Sequence, residues 1–555
     1  MSVIYDKQQK KACYSAKNLN KQTINWHKNC NTKGGRIIMN IKLKDPSQQA
    51  YVCLGSTIEM EDVVSVARHH AVVEFSDEFI NRVNHCRSLV DELSKGELPI
   101  YGINTGLGEN WKRKISLEDR EIVQKNNLRS HACSLGEPHN EECVRAMMFV
   151  MIQHLGGGHS GIRLETLEVL KELLNKNVIP YVPKNGSVGY LCLEAHISLV
   201  LIGEGKAYVE GQLYDGQKAL KLAGIEKTII SSKEGLSLTS GTTSVTALTA
   251  LGLYDALVLA KSSDIVGAMS LEVLKGTVMA MDERLIKVRP HEDQINTAAN
   301  IRTILADSEI VKHYETHRVQ DALSLRSMPQ LHGAAKKVLK DSLITLNIEL
   351  NSSVDNPLVF EEDGKGLALM GCNADGSYVG LAADVSAIAL TTLIKMSERR
   401  LDRLVNPLLN ELPAFLNSNP GLNNGLMIPQ YAAAGILGQM KILSHPSTID
   451  NFVTCANQED YVSMGYNGAK KFVEITELAK YVLATELFNA CQGQDFYKEL
   501  KPSSSTYAVK AKIREYVPFV IDDCNMSPYI EKIAELLVGQ KIIEVTEEVV
   551  GSLKL

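Results

Sequence analysis

The sequence predicts a mostly helical fold organised around a long central helix bundle. Hydrophobic residues make up 45% of the 555 residues but aromatic residues only 6%, a balance that favours packed helices over a β-sandwich rich in aromatic strands. Long helical patterns of apolar residues cover 245–274, 379–404 and 469–492. Helices of about 24 to 30 residues are roughly 36–45 Å long, so we expect them to cross the whole protein.

Composition and pattern divide the chain into an extension and three folded parts. Residues 1–38 are polar, rich in lysine and asparagine and without a period, which predicts a disordered extension. The predicted folded parts are a loop-rich N-terminal active-site domain (39–244), a central helix-bundle domain (245–500) and a small C-terminal helical tail (501–555). Shorter helices are expected near 77–94 and over 160–175, the second capped by Ser160.

Charge, cysteine content and hydropathy indicate a cytoplasmic protein without nucleic-acid or membrane partners. The net charge of −6 argues against a nucleic-acid surface. Eleven scattered cysteines without a C-x-x-C pair favour reduced thiols over a disulfide scaffold or a metal site. The N terminus lacks the apolar stretch of a secretory signal. The apolar run 245–260 is interrupted by Asp255 and followed by Lys261, so we expect a buried helix rather than a membrane span.

The most informative stretch is a glycine loop at 186–189, with the sequence Gly-Ser-Val-Gly. Two glycines around a serine and a valine are typical of a tight loop with close backbone approach. An apolar helical run follows from Leu191 to Ile202. Taken alone, the stretch is a loop that leads into a buried helix.

The surrounding residues resemble the core segment of the histidine/phenylalanine ammonia-lyase family. The glycine loop is followed by Glu194-Ala195-His196 and then by a Gly-Glu-Gly stretch at 203–205. Further motifs of the family follow in order over about 40–500. The resemblance implies an ammonia-lyase-type fold and a homotetramer, in which loops from several subunits around the central bundle complete each site.

One element of the family pattern is missing. In the family an Ala-Ser-Gly triplet follows the glycine loop and cyclises into the electrophile methylidene-imidazolone (MIO). Here Gly189 runs directly into Tyr190, so either the electrophile has been lost or the modified residue was dropped when the sequence was written out. The stretch Thr239-Ser240-Gly241 is the one comparable triplet, but it stands in another segment and we take it as coincidence.

The resemblance assigns the catalytic base to Tyr101, which opens a loop with three glycines, Tyr101 to Gly108. A phenol with an ordinary pKa of about 10 needs a lowered pKa to act as a base near neutral pH. Backbone donors of the glycine loop and a nearby cationic group are expected to supply that shift. The plainer alternative is a packed loop tyrosine.

Other matching positions imply a site for an imidazole ring and a carboxylate. His131 and Glu459 match the pair that binds imidazole in the histidine branch of the family, and a donor and an acceptor suit such a ring. Arg326 matches the arginine that binds the substrate carboxylate in a bidentate manner. Asn356 and Gln458 match supporting polar groups.

Several candidate site positions depart from the family pattern. Ser240 replaces an asparagine, and Tyr190 replaces the aspartate after the triplet. Asp375 replaces a histidine, and Lys395 stands where a neutral residue is usual. We expect Tyr190 and Asp375 to contact a trimethylammonium group and Lys395 a thione sulfur or the carboxylate. The alternatives are a space-filling tyrosine, a solvated loop carboxylate and an ordinary helix lysine.

These departures favour elimination of trimethylamine from ergothioneine, or a related histidine betaine, to give thiourocanate. A quaternary amine leaves without further activation and has no lone pair to attack MIO, so the main prediction is an ergothionase-like lyase with no cofactor. The first alternative is an MIO-dependent histidine ammonia-lyase that gives urocanate and ammonia. The second is an inactive protein that binds a histidine derivative.

Overall fold

The computed structural model describes residues 30–33, 36–39, 43–116 and 118–555. Two compact units are distinguished, 1–42 and 43–555. In the first unit, strand β1 (Cys30–Lys33) pairs in antiparallel fashion with β2 (Arg36–Met39). The rest of the predicted disordered extension lies outside the described residues, and the predicted boundaries at 244 and 500 stay predictions.

Short strands of the second unit pair in small sheets. They are β3 (Tyr51–Leu54), β4 (Val72–Phe75), β5 (Leu135–Pro138), β6 (Ile179–Pro180), β7 (Pro183–Asn185), β8 (Lys206–Val209), β9 (Gln212–Asp215), β10 (Leu358–Glu362) and β11 (Lys365–Leu369). The pair β3–β4 is parallel, whereas β5–β7, β6–β8–β9 and β10–β11 are antiparallel.

Helices make up most of the second unit. In chain order they are α1 (Met60–Arg68), α2 (Asp77–Lys95), α3 (Arg120–His131), α4 (Glu141–Leu155), α5 (Leu164–Asn175), α6 (Cys192–Leu201), α7 (Gly216–Ala223), α8 (Glu234–Ser237), α9 (Thr243–Val273), α10 (Glu283–Lys287), α11 (Glu292–Ile304), α12 (Glu309–His313), α13 (Leu323–Arg326), α14 (Met328–Leu350), α15 (Ser377–Val405), α16 (Met427–Leu443), α17 (Gly465–Gln494), α18 (Ser504–Arg514), α19 (Ser527–Val538) and α20 (Lys541–Val550). The mostly helical fold class is confirmed.

The long helices α9, α14, α15 and α17 pack against one another as the central bundle. Every residue of α9 except Lys261 is buried, so this helix is the axis of the core. The three predicted long helices are confirmed as α9, α15 and α17. In the described part of the chain, α9 and α15 are long and apolar enough to cross a membrane, but both lie mostly buried within the protein, as expected of core helices.

A network of buried charges joins the four bundle helices. Asp264 on α9 accepts hydrogen bonds from His332 at 2.9 Å and Lys336 at 2.5 Å, both on α14. Arg400 on α15 donates two bonds to Glu486 on α17, at 2.5 and 2.9 Å. Burial alone would raise the pKa of Asp264, but Lys336 and His332 together lower it. Because buried charges are costly unless paired, this network specifies how the four helices align.

Two local features of the N-terminal part bear on the site. The pairing of β5 with β7, with Leu135 opposite Asn185, fastens the segment after His131 beside the glycine loop. The predicted helix over 160–175 begins later than expected, at Leu164. The prediction of Ser160 as its N-cap was therefore wrong.

Candidate active site

The glycine loop reaches the site through a sharp and strained turn. Gly189 has a φ of 137°, and a Cβ added there would lie 2.5 Å from Ser463 Oγ, so only glycine fits. Leu191 then has φ 80° and ψ −50°, and the Cys192 N–H donates to the Tyr190 carbonyl at 3.2 Å. This is a γ-turn with positive φ, a conformation that costs about 1–3 kcal/mol and is typical of functional sites.

Tyr190, carried by this turn, lies among acidic groups. Burial raises the pKa of the Tyr190 phenol, and the charge of Glu459, the Cys372 thiol, a hydrogen bond with Glu459 and the charge of Asp375 raise it further. Asp375 stands two residues before Ser377, the first residue of α15, and accepts its N–H at 3.0 Å. The structure therefore brings Tyr190 and Asp375, the two expected contacts of a cationic group, together with Glu459, which was expected to bind the ring. These three residues are called the Tyr190 group.

Tyr101 belongs to the same group of residues. Its hydroxyl accepts a hydrogen bond from the Gly108 N–H at 2.9 Å, which is the expected backbone donor. Burial raises the pKa of Tyr101, the Gly108 N–H lowers it, and the Cys455 thiol and the Glu459 carboxylate raise it, with a net increase. The expectation of a lowered pKa was wrong because burial and nearby acidic groups outweigh the single backbone donor.

Two loops in contact hold Tyr101 and Glu459 near each other. A Cβ added to Gly108 would lie 2.7 Å from Cys455 Sγ, so the tyrosine loop packs closely on the loop that carries Glu459. Thr454 donates its hydroxyl to Glu459 Oε2 at 2.6 Å and its N–H to the Glu459 carbonyl at 2.8 Å. In the same loop, the Gln458 N–H donates to the Cys455 carbonyl at 3.1 Å.

Asn356 is positioned by a buried ion pair that sequence reasoning missed. Lys233 and Asp355 are fully buried and paired with each other. Asp355 Oδ1 accepts the Asn356 N–H at 2.6 Å, and Asn356 Oδ1 accepts the Gly371 N–H at 3.0 Å. Gly371 opens the loop that carries Asp375, so this chain of contacts ties Asn356 to the Tyr190 group. Nothing in the sequence pattern distinguishes Lys233 from a surface lysine.

Ser240 lies in a packed polar pocket, together with Glu194, His154 and Asp355. Glu194 is fully buried, and its Oε1 accepts the Ser244 N–H at 3.0 Å. Burial raises the pKa of Glu194. Glu194 is the second residue that sequence reasoning missed, although it stands within the quoted Glu-Ala-His motif.

His131 is the last residue of α3 and is half-buried. Its Nδ1 lies 2.7 Å from the Asn127 carbonyl. Since a carbonyl only accepts, Nδ1 carries the proton, and in the neutral ring Nε2 is an acceptor. The contact therefore fixes the tautomer that a bound ligand meets.

Arg326 and Lys395 lie apart from the Tyr190 group. Arg326 ends α13 and donates its Nε–H to the Asp321 carbonyl at 2.9 Å. Lys395, on α15, lines a groove of about 580 Å³ together with Leu323 and Ser324. These two residues belong to α13, the short helix that ends at Arg326. Lys395 is 18 residues beyond the start of α15, which places it roughly 27 Å along the helix axis. One small ligand cannot contact both groups of a single chain.

Comparison with known proteins identifies the family. The sequence model of one protein family, described as aromatic amino acid lyase, matches residues 58–515. The chain belongs to the aromatic amino acid lyase family. Members of this family act on small amino-acid substrates and are typically multimeric, and the chain is accordingly a lyase.

The similar proteins include several histidine ammonia-lyases. The enzyme of Alkaliphilus oremlandii is 42% identical over 499 residues, which cover 89% of this chain and 98% of that protein. The enzyme of Caldanaerobacter subterraneus subsp. tengcongensis is 41% identical over 497 residues, which cover 89% of this chain and 97% of that protein. The crystal structure of histidine ammonia-lyase from Trypanosoma cruzi matches with a TM-score of 0.83 and 33% identity, over 89% of this chain and 95% of that one. The crystal structure of ergothionase from Treponema denticola, in complex with desmethyl-ergothioneine sulfonic acid, matches with a TM-score of 0.82 and 27% identity. The match covers 89% of this chain and 99% of that one.

These findings correct the main prediction of function. The curated relatives, at 40–42% identity, are named histidine ammonia-lyase, whereas the ergothionase structure shares 27%. The prediction of trimethylamine elimination from ergothioneine was therefore wrong, and the alternative is better supported. The expectation of no cofactor also conflicts with these relatives, since histidine ammonia-lyases use MIO.

The residues present do not fit MIO at the expected place. Gly189 is followed by Tyr190, whose carbonyl closes the γ-turn with the Cys192 N–H, and no Ala-Ser-Gly triplet stands between them. The comparable triplet 239–241 directs its Thr239 and Ser240 N–H groups to the Leu236 carbonyl, as in a helical turn.

Proposed function

We propose that this protein is a carbon–nitrogen lyase that eliminates the α-amino group of histidine, or of a closely related imidazole amino acid, to give urocanate and ammonia. The observation that carries the proposal is the convergence of Tyr101, Tyr190, Glu459 and Asp375 beside the glycine loop. The names of the relatives at 40–42% identity support histidine as the substrate.

The charge of this group suits the ammonium of an amino acid. Two carboxylates, Glu459 and Asp375, lie near the Tyr190 phenol and both raise its pKa. A negative field together with an aromatic face favours a cation. We assign the α-ammonium of the substrate to this place, with Tyr190 and Asp375 as its contacts.

The imidazole ring is assigned to His131 and Glu459. His131 presents Nε2 as an acceptor because Nδ1 donates to Asn127. A neutral imidazole has one N–H donor and one nitrogen acceptor, so its N–H suits His131 Nε2 or the Glu459 carboxylate. Asn356 and Gln458 remain supporting polar groups in this assignment.

Tyr101 is assigned as the base that takes the Cβ proton. Its phenolate accepts that proton, the C–H electron pair becomes the new Cα=Cβ bond, and the C–N pair leaves with nitrogen. An amine that is protonated before cleavage departs as neutral ammonia. The Gly108 N–H, which donates to the Tyr101 oxygen, stabilises the phenolate and aims it.

The separation of Arg326 from this group supports a site that is shared between subunits. Arg326 stays the proposed carboxylate ligand. Because Lys395, which lies beside the helix of Arg326, is roughly 27 Å along α15 from the end near Asp375, we assign Arg326 to the site of another subunit. We therefore propose a homotetramer in which each site combines the Tyr190 group of one subunit with Arg326 and Lys395 of another.

Co-expression of two inactive variants tests the shared site. Tyr101→Phe and Arg326→Met are each expected to be inactive as pure proteins. In randomly mixed oligomers about one site in four has both residues intact, so activity should return to about a quarter of the wild-type value. Activity no higher than that of the parents would show that both residues serve the same subunit's site.

The function itself is tested by incubation with histidine. Urocanate is followed by its ultraviolet absorbance, and ammonia by an enzymatic assay. Tyr101→Phe should abolish turnover, whereas Tyr51→Phe, an exposed tyrosine on β3, should leave it unchanged. Absence of urocanate from histidine, with amine release from ergothioneine instead, would overturn the proposal.

A further inference from the structure

Two cysteine thiols face each other between the segments that carry His131 and Tyr190. Cys133 Sγ lies 3.8 Å from Cys192 Sγ, although the two residues are 59 positions apart. Cys133 follows the end of α3 and Cys192 is the first residue of α6. The proposed elimination uses neither thiol.

The geometry suits a disulfide. A disulfide needs an Sγ–Sγ distance of about 2.05 Å, so the two sulfur atoms must approach by about 1.8 Å. Both residues lie at helix ends, next to non-helical backbone, where side-chain rotation and small loop shifts are easiest. The β5–β7 pairing already holds their two segments side by side. Cys133 is exposed, whereas Cys192 is half-buried, so an oxidant in solution reaches Cys133 first.

We propose that Cys133 and Cys192 are a redox modification site, at which a small-molecule disulfide such as glutathione disulfide forms a reversible Cys133–Cys192 bond that lowers activity. The Cys133 thiolate attacks the small disulfide, giving a mixed disulfide and one released thiolate. The Cys192 thiolate then attacks Cys133 Sγ and displaces the second small thiol. Two protein thiols are oxidised and one small disulfide is reduced to two thiols, which take up the two protons that the protein thiols lose.

The bond acts on the candidate site because of where its ends are. His131 is two residues before Cys133, and Tyr190 is two residues before Cys192. A bond that draws the two sulfur atoms together also shifts the two backbone segments that present these side chains. The predicted loss of activity rests on the proposed function, whereas formation of the bond does not.

Closure of the bond is expected to depend on pH. Burial raises the pKa of the Cys192 thiol above its ordinary value, and this effect remains when Cys133 is in a mixed disulfide. Only the thiolate attacks, so the second step is slow at neutral pH. Its rate should rise about tenfold for each pH unit between 7 and 9, since the thiolate fraction rises by that factor.

Oxidation followed by peptide mapping tests the proposal. The reduced protein is treated with glutathione disulfide, free thiols are alkylated, and linked peptides are identified by mass spectrometry. We expect a Cys133–Cys192 linkage, a loss of histidine turnover of at least tenfold, and full recovery with dithiothreitol. The exposed Cys53 is the matched control: Cys53→Ser should still be cross-linked and inactivated.

Cys133→Ser should form no such linkage and keep its activity in oxidant. Cys192→Ser should form no linkage and stop at a mixed disulfide on Cys133, and Cys192→Ala serves if serine at that half-buried position does not fold. Glutathione that stays attached to Cys133 without closure would refute the disulfide. A cross-linked protein with full activity would refute the switch. If histidine is not turned over at all, the mapping still decides whether the bond forms.

Discussion

The raised pKa of Tyr101 leads to a specific prediction for the pH dependence of turnover. The phenol of free tyrosine has a pKa of about 10, so at pH 7 about one molecule in a thousand is ionised. Burial and Glu459 raise the Tyr101 pKa further. A base with a raised pKa is mostly protonated at neutral pH and becomes active as the pH rises. We therefore expect kcat/KM to increase about tenfold per pH unit, or about 100-fold from pH 7 to pH 9.

The assay combines steady-state kinetics with a direct titration. Urocanate formation is measured at subsaturating histidine from pH 6 to pH 10. In parallel, the ultraviolet spectrum of phenolate is titrated in the wild-type protein and in Tyr101→Phe, and the difference isolates the single residue. That residue should titrate above pH 10. A flat rate profile, or a Tyr101 that ionises below pH 8, would refute the reasoning.

The variant Glu459→Gln isolates the electrostatic part of this prediction. It removes a negative charge that raises the Tyr101 pKa while keeping the size of the side chain. The titration of Tyr101 should then move to lower pH, even though loss of the proposed ring contact lowers kcat/KM at every pH. An unchanged titration would show that the Glu459 charge does not contribute to the Tyr101 pKa.

Three further outcomes are expected from the structure. Gly189→Ala should abolish turnover without unfolding the bundle, because its Cβ would lie 2.5 Å from Ser463 Oγ; wild-type kcat/KM in this variant would contradict the geometry of the loop. Arg400→Met leaves the Glu486 carboxylate buried and unpaired, and should cost about 3–5 kcal/mol of stability, measured by chemical denaturation at fixed protein concentration. An unchanged midpoint would show that the ion pair adds nothing. Lys233→Met should raise KM for histidine, because it frees Asp355 to shift; a normal KM would separate this pair from the site.

The helical framework was predictable because its signal is long and uniform. The predicted helices over 245–274, 379–404 and 469–492 appear as α9, α15 and α17, each within a few residues at either end. Burial of almost all of α9 explains why its pattern is apolar on every side. Helix α14 was not predicted, because it carries buried charged residues that pair only in the folded bundle.

The candidate site was predictable as a set of residues but not as a geometry. The resemblance to the ammonia-lyase family pointed to Tyr101, Tyr190, Asp375 and Glu459, and the structure places them together. The sign of the Tyr101 pKa shift was missed, since it depends on burial and on the loops around it. The distance between this group and Arg326 was not predicted. It arises because Asp375 lies at the start of α15, whereas Arg326 belongs to the short helix α13, which lies beside Lys395 farther along α15.

The most direct test of the account is the identity and amount of the amine released from histidine. Wild-type protein given histidine should release ammonia and urocanate in equal amounts, and Tyr101→Phe should release neither. Trimethylamine from ergothioneine, with no ammonia from histidine, would contradict the central claim that this lyase acts on histidine.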